Sequence, residues 1–283
     1  MPATLFVVAT PIGNLEDITA RALRVLREVT LIAAEDTRRT ANLLARYAIA
    51  TPTTSLHEHN EVRKSRLLID RLKRGESVAL VSDAGTPTLS DPGERLVRAA
   101  IDAGIRVEPV PGPSALLAAL AVSGLPSASF TFLGFPPIRS KDRKHWFDRL
   151  AAAEGTVVFF EAPHRIVETL RSILRVIGDV PILVARELTK VHEELVRGPI
   201  SVALERLSSP KGEFTVVLYI GRITEKTPAC RPEGAALLEE FGYLIESMGL
   251  KRRAAIAELA RRYQRPAREI YRAIESAKES RAD

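Results

Sequence analysis

A single cysteine, Cys230, stands among 283 residues, so no intramolecular disulfide can form and no multi-thiolate zinc or iron–sulfur site can be built. A chain this long buries roughly three quarters of its unfolded surface and needs no such staple. Long apolar runs are also missing. Runs such as residues 5–9 and 115–122 fall far short of the roughly 20 residues that a membrane-spanning helix requires. No cationic segment precedes an apolar one at Met1–Thr4, so secretion and membrane insertion are not expected, and a cytoplasmic setting is. The Walker pattern G-x-x-x-x-G-K-[ST], the dinucleotide fingerprint G-x-G-x-x-G and the hydrolase elbow G-x-S-x-G are all absent. Internal repeats and low-complexity tracts are absent too.

What is present is an ordinary globular composition, 46% hydrophobic and 27% charged, with a mean hydropathy of 0.00. The length is that of about two domains. The net charge is +6 and the isoelectric point about 9.6, which favours an anionic partner if the charge is concentrated.

The first 125 residues alternate short β-branched runs (5–9, 30–34, 78–81, 106–110) with helical patterns (16–28, 60–74, 94–103). This alternation predicts βαβ units around a mostly parallel sheet, with ligands taken at the carboxyl ends of the strands. Three loops leave those ends. They are residues 9–15, residues 82–93 and residues 111–115, rich in small residues, glycine and proline and devoid of lysine and arginine. Such loops suit a compact ligand without polyphosphate, bound by main-chain N–H and C=O groups; as tight βα connections they are also unremarkable one by one.

From Pro126 the pattern restarts. Residues 130–133, 156–160, 182–185 and 214–220 read as strands, and residues 145–153, 166–177 and 200–208 as helices, a second α/β domain with some antiparallel pairing. The expected division is 1–112, a linker or shared helix at 113–126, 127–223, a linker at 224–234, and a helix-turn-helix-like module at 235–283. Two polar groups in the second domain suit proton handling or substrate orientation: Glu161 with His164, and Lys190 with His192, Glu193 and Glu194. Both also read as surface ion pairs. His57-Glu58-His59 lacks a third ligand and reads as a solvated loop.

The helical tail (235–247, 251–263, 266–277) carries the charge. Between Gly249 and Arg272 lie eight basic residues, Lys251, Arg252, Arg253, Arg261, Arg262, Arg265, Arg268 and Arg272, against Glu258 and Glu269, an excess equal to that of the whole chain. Either this is a solvated face or it contacts nucleic-acid phosphates.

The ordered motifs Thr10-Pro11-Ile12-Gly13-Asn14-Leu15, Ala34-Glu35-Asp36-Thr37-Arg38, Ser82-Asp83-Ala84-Gly85-Thr86-Pro87, Pro111-Gly112-Pro113-Ser114-Ala115 and Glu161-Ala162-Pro163-His164-Arg165 together resemble the ribosomal RNA small subunit methyltransferase I family of the tetrapyrrole methylase superfamily. The resemblance spans about residues 5–220, and the tail is similar to the family's C-terminal extension. It implies an α/β fold of two domains with a cofactor cleft between them. It further implies S-adenosylmethionine as cofactor with no metal, a homodimer, and 2′-hydroxyl methylation of a cytidine ribose in small-subunit (16S) ribosomal RNA, within the small ribosomal subunit. By position, Pro11, Gly85, Thr86, Thr88, Ser114, Ala115, Phe160, Leu188 and Thr215 match cofactor contacts. A ribose hydroxyl is a poor nucleophile, so a base or an alkoxide-stabilising cation is expected, with Glu161 and Lys190 as candidates. Arg252, Arg253, Arg261, Arg262, Arg265 and Arg268 are the expected RNA contacts. Thr10-Pro11-Ile12-Gly13 stands where tetrapyrrole methylases carry G-x-G-P-G, which points to the RNA-modifying branch. A tetrapyrrole (precorrin or uroporphyrinogen) methyltransferase and a noncatalytic RNA-binding factor are the alternatives.

Overall fold

The computed structural model describes residues 3–207, 211–221, 235–246, 252–262 and 266–279, which divide into a unit ending at Gly221 and a C-terminal helical unit. The first unit holds two five-stranded sheets. In the first sheet β1 (Thr4–Val8), β2 (Leu31–Ala34), β3 (Thr53–Ser55), β4 (Val78–Val81) and β5 (Arg106–Val110) run parallel in the order β3-β2-β4-β1-β5.

Helices cover both of its faces, as a parallel sheet demands. Ala22, Val25 and Leu26 of α1 (Ala20–Glu28) and Leu43 and Leu44 of α2 (Thr37–Arg46) pack on Val8, Ile32 and Val81. Leu68 and Leu72 of α3 (Glu61–Lys73) and Leu96 and Ala100 of α4 (Glu94–Asp102) pack on Leu5, Leu31 and Leu80. Residues 16–28, expected as one helix, are two elements. A 3-10 turn spans Leu15–Asp17, Ile18 is extended, and the Thr19 side chain accepts from the Ala22 N–H to start α1 afresh.

The second sheet is mixed, with β6 (Phe130–Phe132), β7 (Gly155–Glu161), β8 (Pro181–Arg186), β9 (Glu194–Pro199) and β10 (Phe214–Ile220) in the order β6-β7-β10-β8-β9. Only β6 and β7 are parallel. Alternate residues divide its faces. Val157, Phe159, Val184 and Val216 meet Trp146 and Leu150 of α6 (Ser140–Ala151), Leu170 and Ile173 of α7 (Ile166–Ile177) and Ala203 of α8 (Ile200–Arg206). Val158, Leu183 and Val217 face the other way, onto Leu116, Ala119 and Leu120 of α5 (Ala115–Ser123). Ile12, from the loop after β1, joins this second cluster and so ties the two sheets together.

In the C-terminal unit Leu237, Phe241 and Leu244 of α9 (Ala235–Glu246), Ala255 and Leu259 of α10 (Arg252–Arg262) and Ile270 and Ile274 of α11 (Ala267–Glu279) form their own core. The segment 224–234, expected as a linker, lies outside the described residues. No described helix is long and apolar enough to cross a membrane.

Candidate functional site

The chain leaves β1 toward β2 and leaves β4 toward β5, so the strand order reverses between β1 and β4, the place where open α/β sheets take ligands. There Thr10 and Gly85 form an isolated bridge, with N–H to O distances of 2.9 and 3.0 Å in the two directions. The Thr86 hydroxyl donates to Pro113 O at 3.3 Å, which fastens the loop after β4 to the loop after β5. Gly85 is at φ +79, a left-handed conformation that glycine adopts without strain.

Over these loops opens a cavity of about 410 Å³. Its first-sheet wall is Ile12, Glu35, Arg39, Asp83, Gly85, Thr86, Leu89, Asp91, Ser114 and Ala115. The second sheet contributes Phe135, Phe160, Glu161, Ala162, Pro163, Leu188, Glu213 and Thr215. Seven residues expected at a cofactor are therefore together: Gly85, Thr86, Ser114, Ala115, Phe160, Leu188 and Thr215. Two are not part of this wall. Pro11 lines a smaller adjoining cavity, and Thr88, at φ +74, sits in the loop after β4 without lining either.

Phe160 is held by Phe132 and Phe135, with ring centroids 5.0 and 5.4 Å away, and its N–H donates to Gly134 O at 3.0 Å. Leu188 reaches the cavity from a turn in which Glu187 (φ +50) and Thr189 (φ +66) are left-handed although neither is glycine. That turn rests on Gly13, where a Cβ would stand 2.9 Å from Leu188 O and 2.4 Å from Lys190 Cγ.

Glu161, the expected proton acceptor, is 1% exposed and fully engaged. Its carboxylate accepts from the Thr169 hydroxyl at 2.6 Å and the Ala162 N–H at 2.8 Å, and pairs with Arg165 Nη2 at 2.6 Å. Arg165 Nη1 in turn donates to Pro136 O at 3.0 Å. This arrangement anchors the loop after β7 and engages both oxygens of Glu161 with donors of the protein itself. Lys190 lies outside the lining and pairs with Glu187 at 2.9 Å and Glu213 at 3.0 Å. Burial pulls its ammonium pKa down, but the two carboxylates outweigh that and hold it above the ordinary value.

Sequence reasoning passed over the acidic wall. Glu35, Asp83 and Asp91 converge on the cavity from the ends of β2 and β4. Burial raises the Asp91 carboxyl to about 6, with the charges of Glu35 and Asp83 adding to it against the lowering hydrogen bond from Ser82. Glu35 is also raised, first by burial and then by Asp83, while Oε2 accepts the Asp83 N–H at 3.2 Å. The signal was in the motifs Ala34-Glu35-Asp36 and Ser82-Asp83, whose adjacency only the pairing of β2 with β4 creates.

Comparison with known proteins bears on this site. The family of Tetrapyrrole (Corrin/Porphyrin) Methylases matches residues 4–204. The ribosomal RNA small subunit methyltransferase I of Xylella fastidiosa is 51% identical over 222 residues, 77% of this chain and 81% of that protein. The protein of that name from Thermotoga maritima is 51% identical over 216 residues, 76% of this chain and 97% of its own. The chain belongs to the ribosomal RNA small subunit methyltransferase I family. Another family protein, from Halalkalibacterium halodurans, is 42% identical over 270 residues, 95% of this chain and 93% of its own, so that likeness extends into the C-terminal unit. Among solved structures a diphthine synthase shares the fold at a TM-score of 0.62 and 17% identity, covering 77% of this chain and 90% of that one. Uroporphyrin-III C-methyl transferase from Thermus thermophilus, complexed with S-adenyl homocysteine, does so at 0.55 and 20%, covering 77% and 97%.

Of the family's expected RNA contacts, Arg252, Arg253 and Arg268 are exposed on α10 and α11, and Arg252 pairs with Glu275 at 2.6 Å. Arg261 and Arg262 close α10, while Arg265 and Lys251 lie outside the described residues. No group of three or more His, Cys, Asp or Glu side chains among the described residues could hold a metal.

Proposed function

We propose that the protein transfers a methyl group from S-adenosylmethionine to the 2′-hydroxyl of a cytidine ribose in small-subunit ribosomal RNA. The observation that carries this reading is the cavity at the β1/β4 switch point, roomy enough for a small cofactor and walled by more carboxylates than cations. S-adenosylmethionine supplies an already activated methyl group on a sulfonium, and its two positive charges fit Glu35, Asp83 and Asp91. The names of the relatives support RNA as acceptor.

With the methyl group activated, the protein's task is mainly alignment and exclusion of water. Phe160, Phe135, Leu188, Ile12 and Leu116 give the cavity its apolar part. The turn at Gly85 and the loop of Ala162 and Pro163 bring neutral backbone to its wall. Glu161, with Arg165, holds that second loop in place. For the proton of the ribose hydroxyl, Glu35, in the cavity wall, is the acceptor in this reading. Its Oε2 is taken by the Asp83 N–H, which leaves Oε1 to accept, and burial raises its proton affinity above that of an ordinary carboxylate. Lys190 keeps Glu213 at the cavity edge.

The test is calorimetric binding of S-adenosylmethionine, followed by transfer to small-subunit RNA, nuclease digestion and mass mapping. Binding that Gly85→Arg abolishes, and a methyl on a cytidine ribose, are expected. A methyl on a base, transfer to a tetrapyrrole instead, or no consumption of cofactor in the presence of intact small subunits would overturn the reading.

A further inference from the structure

Beside the large cavity lies a second one of about 150 Å³, which the chemistry above does not use. Arg39 and Asp83 wall both. Arg39 Nη1 stands 3.4 Å from Asp83 Oδ2, so one ion pair separates an occupant of the small cavity from the ligand of the large one. The small cavity has apolar sides, Pro11, Leu15 and Leu43, and polar ones, the Thr40 hydroxyl and the Asn42 amide. Leu15 is pinned there, because the Tyr47 hydroxyl donates to its carbonyl at 2.5 Å. The volume corresponds to about five water molecules, enough for one six-membered heterocycle and far too little for a macrocycle.

The helix that forms this wall is itself basic. Between Thr37 and Arg46, α2 carries Arg38, Arg39 and Arg46 and no acidic residue; Arg38, 89% exposed at the side chain, pairs with the N-cap Asp36 at 2.7 Å and keeps its other donors in solvent. A polar pocket with apolar faces, whose one cation and one carboxylate pair with each other, next to such a helix matches a single pyrimidine base whose strand lies along the arginines. Asn42 can both donate to and accept from a base edge.

We propose that the small cavity seats the base of the target nucleotide, with Asn42 reading its edge and the Arg39–Asp83 pair setting its ribose beside the cofactor. This rests on RNA being the methyl acceptor. Asn42 is exposed on α2, so its replacement leaves the core intact. Expected for Asn42→Ala is an unchanged cofactor Kd and a KM for small-subunit RNA raised about 2- to 10-fold, the effect of one lost hydrogen bond. Asn42→Trp, which fills the cavity, should abolish transfer with cofactor Kd still unchanged. A benzophenone side chain at position 41, exposed on α2 beside Asn42 and outside the cavity lining, should crosslink to the nucleotide that becomes methylated or its immediate neighbour. Parent-like KM and kcat in both variants, or crosslinks mapping elsewhere, would overturn the proposal. If the parent protein itself methylates no RNA, the functional reading falls, and the crosslink by itself still decides whether this cavity takes RNA.

Discussion

Replacing Asp91 by asparagine should make the protein more stable and a poorer binder of its cofactor. The Asp91 carboxyl titrates at about 6 instead of 3.8 because burial and the charges of Glu35 and Asp83 disfavour its ionised form. Between those two values the folded protein holds this proton more tightly than the unfolded chain does. Stability is therefore full below about pH 4 and falls as the pH rises through 6. Raising the pKa from 3.8 to about 6 corresponds to ~3 kcal/mol, which solvent reaching the half-buried group screens to ~1 kcal/mol. In a unit of about 220 residues ~1 kcal/mol moves Tm by about 2–4 °C. Asp91→Asn should accordingly melt higher than the parent by that amount at pH 8 and equally at pH 4, in scanning calorimetry without ligand. Losing a charge-assisted contact should at the same time weaken S-adenosylmethionine about 10- to 100-fold in titration calorimetry at pH 7. A variant with the parent's pH–Tm curve, or with undiminished affinity, would refute the placement of a strained acid at the cofactor.

Other parts of the site make separate claims. Gly13→Val should push the turn at Leu188 out of the cavity, since even a Cβ meets Leu188 O at 2.9 Å; a loss of about 1–3 kcal/mol in urea and a weaker cofactor Kd are expected, and parent-like values would show that the turn yields freely. Glu161→Ala strands the mostly buried Arg165 guanidinium and should cost about 3–5 kcal/mol, read as a lower denaturation midpoint; an unchanged midpoint would remove its anchoring role. Changing Arg253 and Arg268 to glutamate should weaken RNA association and flatten its salt dependence, whereas an unaltered salt slope would make the tail a solvated face.

Much of the fold was legible where apolar periodicity is strong. The strands Val78–Val81, Arg106–Val110 and Phe214–Ile220 and the helix Ile166–Ile177 lie where their patterns place them. Three elements escaped for lack of such a pattern. In α2 the apolar residues Ala41, Leu43, Leu44 and Ala45 are bunched, leaving a first turn of Thr37, Arg38, Arg39 and Thr40 that reads as a loop. The strand β3 is three hydroxyl residues at a sheet edge, and β9, at the opposite edge of the other sheet, alternates too weakly to stand out. The helix α6 begins at Ser140, five residues before the expected start, because Ser140–Lys144 offer no apolar spacing.

The sequence by itself determined the alternation of strands and helices, the small neutral loops at the strand ends, the family those loops resemble and the confinement of net charge to the tail. These are properties of order along the chain, readable without knowing which segments meet in space. Tertiary structure alone decided how the charges around the cavity are used. Glu161 and Arg165 are four residues apart, yet only the packing of α7 against the loop after β7 desolvates them and commits one to the other. Glu35 and Asp83 are 48 residues apart, and the pairing of β2 with β4 turns them into one acidic wall. Burial and proximity set a carboxylate's proton affinity, and both are created by topology.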